Sequence, residues 1–70
     1  MLRNFIKEAR QEIEMTQESL AEKVGVTRQT IGLIEKQKFN PTITLCLHIS
    51  RALNKTLNEL FIWEERKNEK

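Results

Sequence analysis

Hydrophobic residues recur at helical spacing along most of the 70-residue chain. In the first stretch they lie one, three or four positions apart, at Phe5, Ile6, Ala9 and Ile13. Charged residues stand between them, so the pattern predicts an amphipathic helix over residues 4–14. Asn4 is a suitable N-cap because its side chain can accept a hydrogen bond from a free helical amide. The chain is therefore expected to open with a helix.

Two short helices are predicted next, with Gly25 between them. Thr16 and Thr27 can cap their first turns, and Gly25 can adopt the positive φ that ends the first of the two. The apolar residues that would form their shared interior are Leu20, Ala21, Val24, Ile31 and Ile34. We expect these elements to form a helix-turn-helix over about residues 17–36, with its second helix over about residues 28–36.

A fourth helix is predicted to follow a loop over residues 36–41, because Pro41 disfavours helical geometry at the residue before it. Thr42 can cap this helix. Its apolar positions cover most of the circumference: Ile43, Cys46, Leu47, Ile49, Ala52 and Leu53. Such a pattern is typical of a helix packed on several sides, so we expect the fourth helix to be the centre of the core.

The C-terminal region allows two interpretations. Thr56 and Glu59 have the spacing of a capping box, which predicts a short fifth helix through Leu57, Leu60 and Phe61. Residues 61–63 are aromatic or β-branched, and they could instead form a strand that pairs with residues 1–3. The charged tail, residues 64–70, is expected to fray. The predicted fold class is thus all-α, a single five-helix domain over residues 1–70, with a small β ribbon as an open alternative.

Length and composition exclude several classes of function. A chain of 70 residues has little room for a catalytic cleft beside its core, and no nucleophile–base pair, phosphate loop or metal-ligand spacing occurs. We therefore expect no enzyme, cofactor, metal or small-molecule ligand. Cys46 is the only cysteine, and no apolar run of ~20 residues suggests a membrane span. The expected location is the cytoplasm. Since a core of this size rarely supplies more than ~3–5 kcal/mol, self-association is also expected.

The net charge of +2 is small, but it is unevenly distributed. Residues 23–40 have a net charge of +3, whereas the rest of the chain has a net charge of −1. The basic residues of that segment are Lys23, Arg28, Lys36 and Lys38. A local basic surface of this kind is compatible with a polyanionic partner.

The outer face of the third helix carries the candidate chemistry. If Ile31 and Ile34 point inward, Arg28, Gln29, Gly32 and Leu33 point outward. In the DNA major groove an arginine can donate two hydrogen bonds to guanine O6 and N7, and a glutamine amide matches adenine N6 and N7. The Arg28–Gln29 pair is therefore a candidate for reading bases.

Residues 17–36, QESLAEKVGVTRQTIGLIEK, together with the segments around them, resemble the lambda-repressor-like helix-turn-helix proteins, also called the Cro or XRE family. The resemblance covers about residues 3–61 and rests on Gln17, Ala21, Gly25, Ile31, Glu35, Asn40, Pro41, Leu53, Asn54 and the segment 57–61. The short form is similar to the stand-alone repressors of this family, such as that of the cytolysin operon. It implies a bacterial or phage transcriptional repressor, a five-helix bundle with a small terminal ribbon, and a homodimer that binds an inverted repeat in double-stranded DNA.

Individual roles follow from the same resemblance. The residues expected to face the bases are Arg28, Gln29 and Gly32, and those expected on the DNA backbone are Gln17, Thr27, Thr30, Lys36, Lys38 and Asn40. The resemblance also implies a structural salt bridge between Arg10 and Glu35. Two positions depart from the family pattern: Gln37 stands where glycine is common, and Gly32 stands where a long polar side chain is common.

The C-terminal region is more apolar than a frayed end requires. We expect a dimer interface over about residues 57–66, formed by Leu57, Leu60, Phe61, Ile62 and Trp63, with Leu57 and Leu60 also completing the monomer core. An alternative is an antitoxin-like protein-interaction module that uses the same apolar surface, with DNA binding secondary.

Overall fold

The computed structural model describes residues 2–65. These residues form five helices and two strands, in the order β1 (Leu2–Asn4), α1 (Ile6–Glu12), α2 (Gln17–Val24), α3 (Arg28–Glu35), α4 (Ile43–Leu53), α5 (Leu57–Leu60) and β2 (Phe61–Trp63). The predicted all-α fold class is confirmed, and the small ribbon that the sequence left open is present. No helix within the described residues is long and apolar enough to cross a membrane.

Four helices begin as their sequence signals predict. The side chains of Thr16, Thr27, Thr42 and Thr56 each accept a hydrogen bond from the backbone amide three residues later. Thr56 and Glu59 form the complete capping box. At the end of α2, Gly25 has a φ of 81°, which is the left-handed conformation that glycine adopts without a steric cost. Local sequence therefore defines these helix ends.

The first helix is shorter than predicted, because Asn4 belongs to strand β1 and α1 begins at Ile6. The Asn4 side chain still accepts a hydrogen bond from the Ile6 amide, although the N-cap position itself is Phe5. At the other end, Glu14 takes a φ of 55° and the Met15 amide donates to Arg10 O at 2.9 Å. Strand pairing thus removes Asn4 from the predicted helix, and a left-handed cap ends the helix early.

The ribbon joins the two ends of the described chain. β1 and β2 are antiparallel, with Leu2 opposite Trp63 and Asn4 opposite Phe61. Phe61 therefore belongs to β2 and not to the fifth helix, which corrects the predicted end of that helix. Of residues 1–3, predicted to pair with β2, Met1 lies outside the described residues, and the strand extends to Asn4 instead.

The core lies between α1, α2, α3, α4 and α5. Its buried residues are Ile6, Ala9, Leu20, Ala21, Val24, Ile31, Ile34, Ile49, Leu53 and Leu60. Helix α4 contributes only one face to it, since Ile43 is 68% exposed and Leu47 is 46% exposed. The prediction that α4 is packed on several sides is wrong. Helix α5 has only four residues and each strand has three, so these elements are too short to cover the second apolar face of α4.

Candidate nucleic-acid interface

Helices α2 and α3 pack closely, and this contact presents the outer face of α3 to solvent. Ile31 and Ile34 are at most 1% exposed, so the buried face of α3 is defined by these two residues. Ala21 of α2, only 3% exposed, has the small side chain that a close crossing requires. On the opposite side, a shallow groove of about 320 Å³ is lined by Gln17, Arg28, Gln29, Gly32, Leu33 and Lys36. All three residues predicted to read bases therefore lie on one surface.

Gln17 links the two ends of α3. Its amide nitrogen donates to Glu35 Oε1 at 3.0 Å, and its amide oxygen accepts from Arg28 Nη1 at 3.3 Å. Since a glutamine amide carries two N–H donors, one of them is still available to an external acceptor such as a phosphate oxygen. The structure thus gives Gln17 an internal role that its position in the sequence did not predict: it orients the Arg28 guanidinium.

Arg10 and Glu35 form the predicted ion pair below this surface. Arg10 Nε lies 2.8 Å from Glu35 Oε2, and Arg10 Nη2 lies 3.2 Å from Glu35 Oε1. The two side chains are only 10% and 5% exposed. Arg10 also donates to Met15 O at 2.8 Å. The pair is bidentate and desolvated, and it fastens α1 to the end of α3.

Pairing of Glu35 with Arg10 changes the local charge balance. Glu35 is the acidic residue that lowers the net charge of residues 23–40 to +3. In the structure its negative charge is paired with Arg10 inside the protein. Among the described residues, no carboxylate lies within 4 Å of Arg28, Lys36 or Lys38. Lys23 instead lines a separate depression with His48 and Arg51. The positive surface beside α3 is therefore formed by Arg28, Lys36 and Lys38.

Thr27 and Thr30 both lie at the start of α3 and contact each other. Their hydroxyl oxygens are 3.0 Å apart, and Thr27 Oγ1 also accepts from the Thr30 amide at 3.2 Å. Because one hydroxyl must donate to the other, only one hydroxyl hydrogen of the pair remains for an external acceptor. The two residues predicted to contact the DNA backbone separately are thus joined into one potential donor.

The loop after α3 carries the remaining predicted backbone contacts. Lys36, Lys38 and Asn40 are all exposed. Gln37 has a φ of 62°, and the Lys38 amide donates to Leu33 O at 2.9 Å. The loop therefore makes the left-handed turn in which glycine is common, with glutamine in its place.

Asn4 is a positioning residue that sequence reasoning assigned only to helix capping. Its side-chain nitrogen donates to Ile34 O at 2.8 Å, near the end of α3. Gln37 Nε2 also reaches Leu2 O at 3.5 Å. The ribbon is thus hydrogen-bonded to the C-terminal end of α3. Sequence carries no signal for this contact, since it joins residues 30 apart in the chain.

The predicted dimer residues occupy different environments. Leu60 is 0% exposed and belongs to the monomer core, so it is not available to a partner. Ile62 and Trp63 are 44% and 65% exposed. An apolar groove of about 380 Å³ is lined by Leu2, which pairs with Trp63, and by Pro41, Ile43, Cys46, Leu57, Asn58 and Phe61. We call this groove, with the adjacent exposed residues Leu47 and Trp63, the apolar surface. Position 66 of the predicted interface lies outside the described residues.

Residues 6–60 match a family model described as helix-turn-helix. The chain belongs to the Cro/XRE-type helix-turn-helix regulators. Members of this family are DNA-binding transcription regulators and not enzymes. An uncharacterized HTH-type transcriptional regulator of Archaeoglobus fulgidus is 45% identical over 64 residues, which cover 91% of this chain and 90% of that protein. The regulator YgzD of Bacillus subtilis is 40% identical over 67 residues, which cover 96% of this chain and all of that one.

Two solved structures are similar to this helix-turn-helix regulator. The restriction-modification controller protein C.AhdI of Aeromonas hydrophila superimposes with a TM-score of 0.73 at 28% identity, covering 77% of this chain and 82% of C.AhdI. A putative DNA-binding protein of Bacteroides fragilis gives a TM-score of 0.81 at 27% identity, covering 89% of this chain and all of that one. These likenesses extend well beyond α2 and α3, which form only the central part of the fold.

Proposed function

We propose that this regulator is a homodimeric, sequence-specific repressor that acts in the cytoplasm by binding an inverted repeat in double-stranded DNA. Helix α3 enters the major groove, where Arg28 and Gln29 read base edges and Gly32 permits close approach of the backbone. Residues that contact phosphates surround it: Gln17, Thr27, Thr30, Lys36, Lys38 and Asn40. A dimer bound in this way can repress by occluding a promoter.

The observation that carries this proposal is the groove beside α3. It brings Gln17, Arg28, Gln29 and Lys36 to one exposed surface. The hydrogen bond from Arg28 to Gln17, together with that from Gln17 to Glu35, holds the guanidinium over this surface before any ligand arrives. A side chain that is oriented in advance loses less conformational entropy on binding, which favours base recognition over loose electrostatic contact.

Mutations should separate base recognition from phosphate contact. A bidentate base contact discriminates by ~1–3 kcal/mol between sequences, whereas a phosphate contact acts on all sequences alike. Arg28→Ala should therefore lose most of its preference for the operator. Lys38→Ala should weaken binding to every duplex and lower the slope of log affinity against log salt by about 0.9.

The test begins with selection of bound duplexes from a random pool, followed by titrations of the operator and of a scrambled duplex over a salt series. Equal losses on both duplexes for Arg28→Ala would contradict its assignment to base reading. Selection without any enriched sequence would contradict sequence-specific binding altogether.

The proposed dimer uses the apolar surface. Trp63 pairs with Leu2 in the ribbon, and alternation along the strands places both on the same face as Phe61. Ile43 and Leu47 lie one turn apart on α4, so they are neighbours on that helix. This interface differs from the one expected from the sequence in two ways. It loses Leu60, which is buried, and Ile62, which alternation places on the opposite face of the ribbon, and it gains the exposed face of α4. A second copy of the chain is the proposed occupant, because one recognition helix spans only a few base pairs and tight binding needs two half-sites.

A further inference from the structure

The outward face of α3 carries one large apolar side chain among polar ones. Leu33 is 40% exposed and lines the same groove as Arg28, Gln29 and Lys36. The core needs no contribution from Leu33, because Ile31 and Ile34 already supply the buried face of this helix. An isolated exposed leucine is ordinary on a protein surface, but this one lies at the centre of the proposed DNA contact.

A leucine side chain has no hydrogen-bond donor or acceptor, so it can recognise only apolar features of a base edge. In the major groove the apolar feature of the four bases is the C5-methyl group of thymine. We propose that Leu33 is a specificity-determining residue that contacts a pyrimidine 5-methyl group in each operator half-site. This inference rests on the proposed function.

The geometry of α3 indicates where that pyrimidine lies. Gln29 and Leu33 are four residues apart and therefore neighbours on the same side of the helix. One helical turn advances about 5.4 Å, whereas successive base pairs are about 3.4 Å apart, so one turn corresponds to about one or two base pairs. The methyl group is thus expected within two base pairs of the base that Gln29 contacts.

Recognition of the methyl group has a further consequence for DNA modification. Cytosine lacks the methyl group, but 5-methylcytosine carries it at the same ring position as thymine. Replacing the thymine at this site by cytosine should weaken binding. Methylation of that cytosine at C5 should restore part of the lost affinity. Binding would then depend on the methylation state of the DNA through one leucine.

Removal of single methyl groups from the DNA tests the proposal. Each thymine of the selected operator is replaced in turn by deoxyuridine, which lacks only the methyl group. Affinities are measured for the wild type, Leu33→Ala and Leu33→Gln, with Ile13→Ala as the matched control because Ile13 is 50% exposed and does not line this groove. Burial of one methyl group is worth about 0.8 kcal/mol, which corresponds to an approximately fourfold change in affinity.

We expect one thymine per half-site at which deoxyuridine weakens the wild type and Ile13→Ala about fourfold but leaves both Leu33 variants unchanged. Replacing that thymine by 5-methylcytosine should cost less than replacing it by cytosine. The proposal is overturned if deoxyuridine weakens the wild type and the Leu33 variants equally, or if no thymine responds. If the selection enriches an operator but no deoxyuridine substitution in it changes the affinity, only this inference is contradicted. If the selection enriches no sequence, the proposed function is contradicted as well.

Discussion

Gly32 lies on the exposed side of α3. Glycine lowers the stability of a helix there, and no close contact or positive φ requires glycine at this position. A Cβ built at this position would meet only Gln17 Nε2, at 3.8 Å, which is an ordinary contact. Gly32→Ala should therefore stabilise the fold by up to ~1 kcal/mol through helix propensity, or about 4–8 °C in melting temperature. If the backbone approaches DNA here, the same added methyl group should weaken operator binding.

Gly25→Ala is the matched control for this prediction. Its Cβ would meet no atom within 4 Å, but its φ is +81°. The left-handed conformation costs ~1–2 kcal/mol for alanine, so this variant should lose stability where Gly32→Ala gains it. Thermal melts and operator titrations of both variants distinguish the two effects. Unchanged operator affinity in Gly32→Ala would contradict close approach of DNA at this position.

The Arg10–Glu35 pair should be essential for architecture. Arg10→Met leaves the Glu35 carboxylate buried with Gln17 as its remaining side-chain partner, and breaking a buried pair typically costs ~3–5 kcal/mol. Replacing both residues by Met removes the stranded charge and should recover part of that loss. Urea unfolding of the single and double variants measures the coupling. Purely additive effects would contradict the pair's contribution to stability.

At the scale of single elements, the end of α3 shows why the family pattern has glycine after the helix. Gln37 has a φ of 62° in a turn closed by hydrogen bonds from the Gln37 and Lys38 amides, each 2.9 Å long. Gln37→Gly should raise the free energy of unfolding by ~1 kcal/mol because it removes the strain of the left-handed conformation. Its side-chain contact to Leu2 O, at 3.5 Å, is too long to offset this gain.

Glu14→Gly is the internal comparison, since Glu14 has the same conformation with a φ of 55° at the end of α1. Both variants should stabilise the protein in urea unfolding. A loss of stability at Gln37 alone would show that its contact with the ribbon outweighs the backbone strain.

The capping box of α5 gives stability a pH dependence. A hydrogen bond from the Thr56 backbone amide holds the pKa of Glu59 below its usual value of 4.5. A carboxylate with a lowered pKa stabilises the fold above its unfolded-state pKa, and that contribution is lost as pH falls through the lowered value. The melting temperature of Glu59→Gln should therefore be lower than that of the wild type near neutral pH. The difference between the two melting temperatures should shrink as the pH falls below 4.5. A difference that does not change with pH would contradict this origin.

At the scale of the whole molecule, the apolar surface predicts the oligomeric state. Leu47→Arg or Trp63→Arg would place a charge in the proposed interface and should give folded monomers with steeply reduced operator affinity but preserved weak non-specific binding. Ile13→Arg, at an exposed position that does not line the groove, should remain dimeric. Sedimentation of each variant at micromolar concentration decides between these outcomes. A monomeric wild type would favour the alternative, in which the apolar surface binds a different protein.

The local parts of this fold could be predicted from neighbouring residues. The four threonine caps, the left-handed Gly25 and the inward positions of α2 and α3 depend on contacts within a few residues, so the pattern of side chains is sufficient to define them. The outward position of Arg28 and Gln29 follows from the same helical periodicity.

Tertiary structure decided what depends on distant residues. Strand β1 forms because β2 is adjacent to it in space, and this pairing removed Asn4 from the predicted first helix. The exposure of Ile43 and Leu47 depends on which other elements pack against α4, and the periodicity of α4 itself does not indicate this. The chain of contacts from Arg10 through Glu35 and Gln17 to Arg28 joins three helices. Side-chain pattern is thus sufficient where contacts are local, whereas coverage and long-range pairing require the assembled molecule.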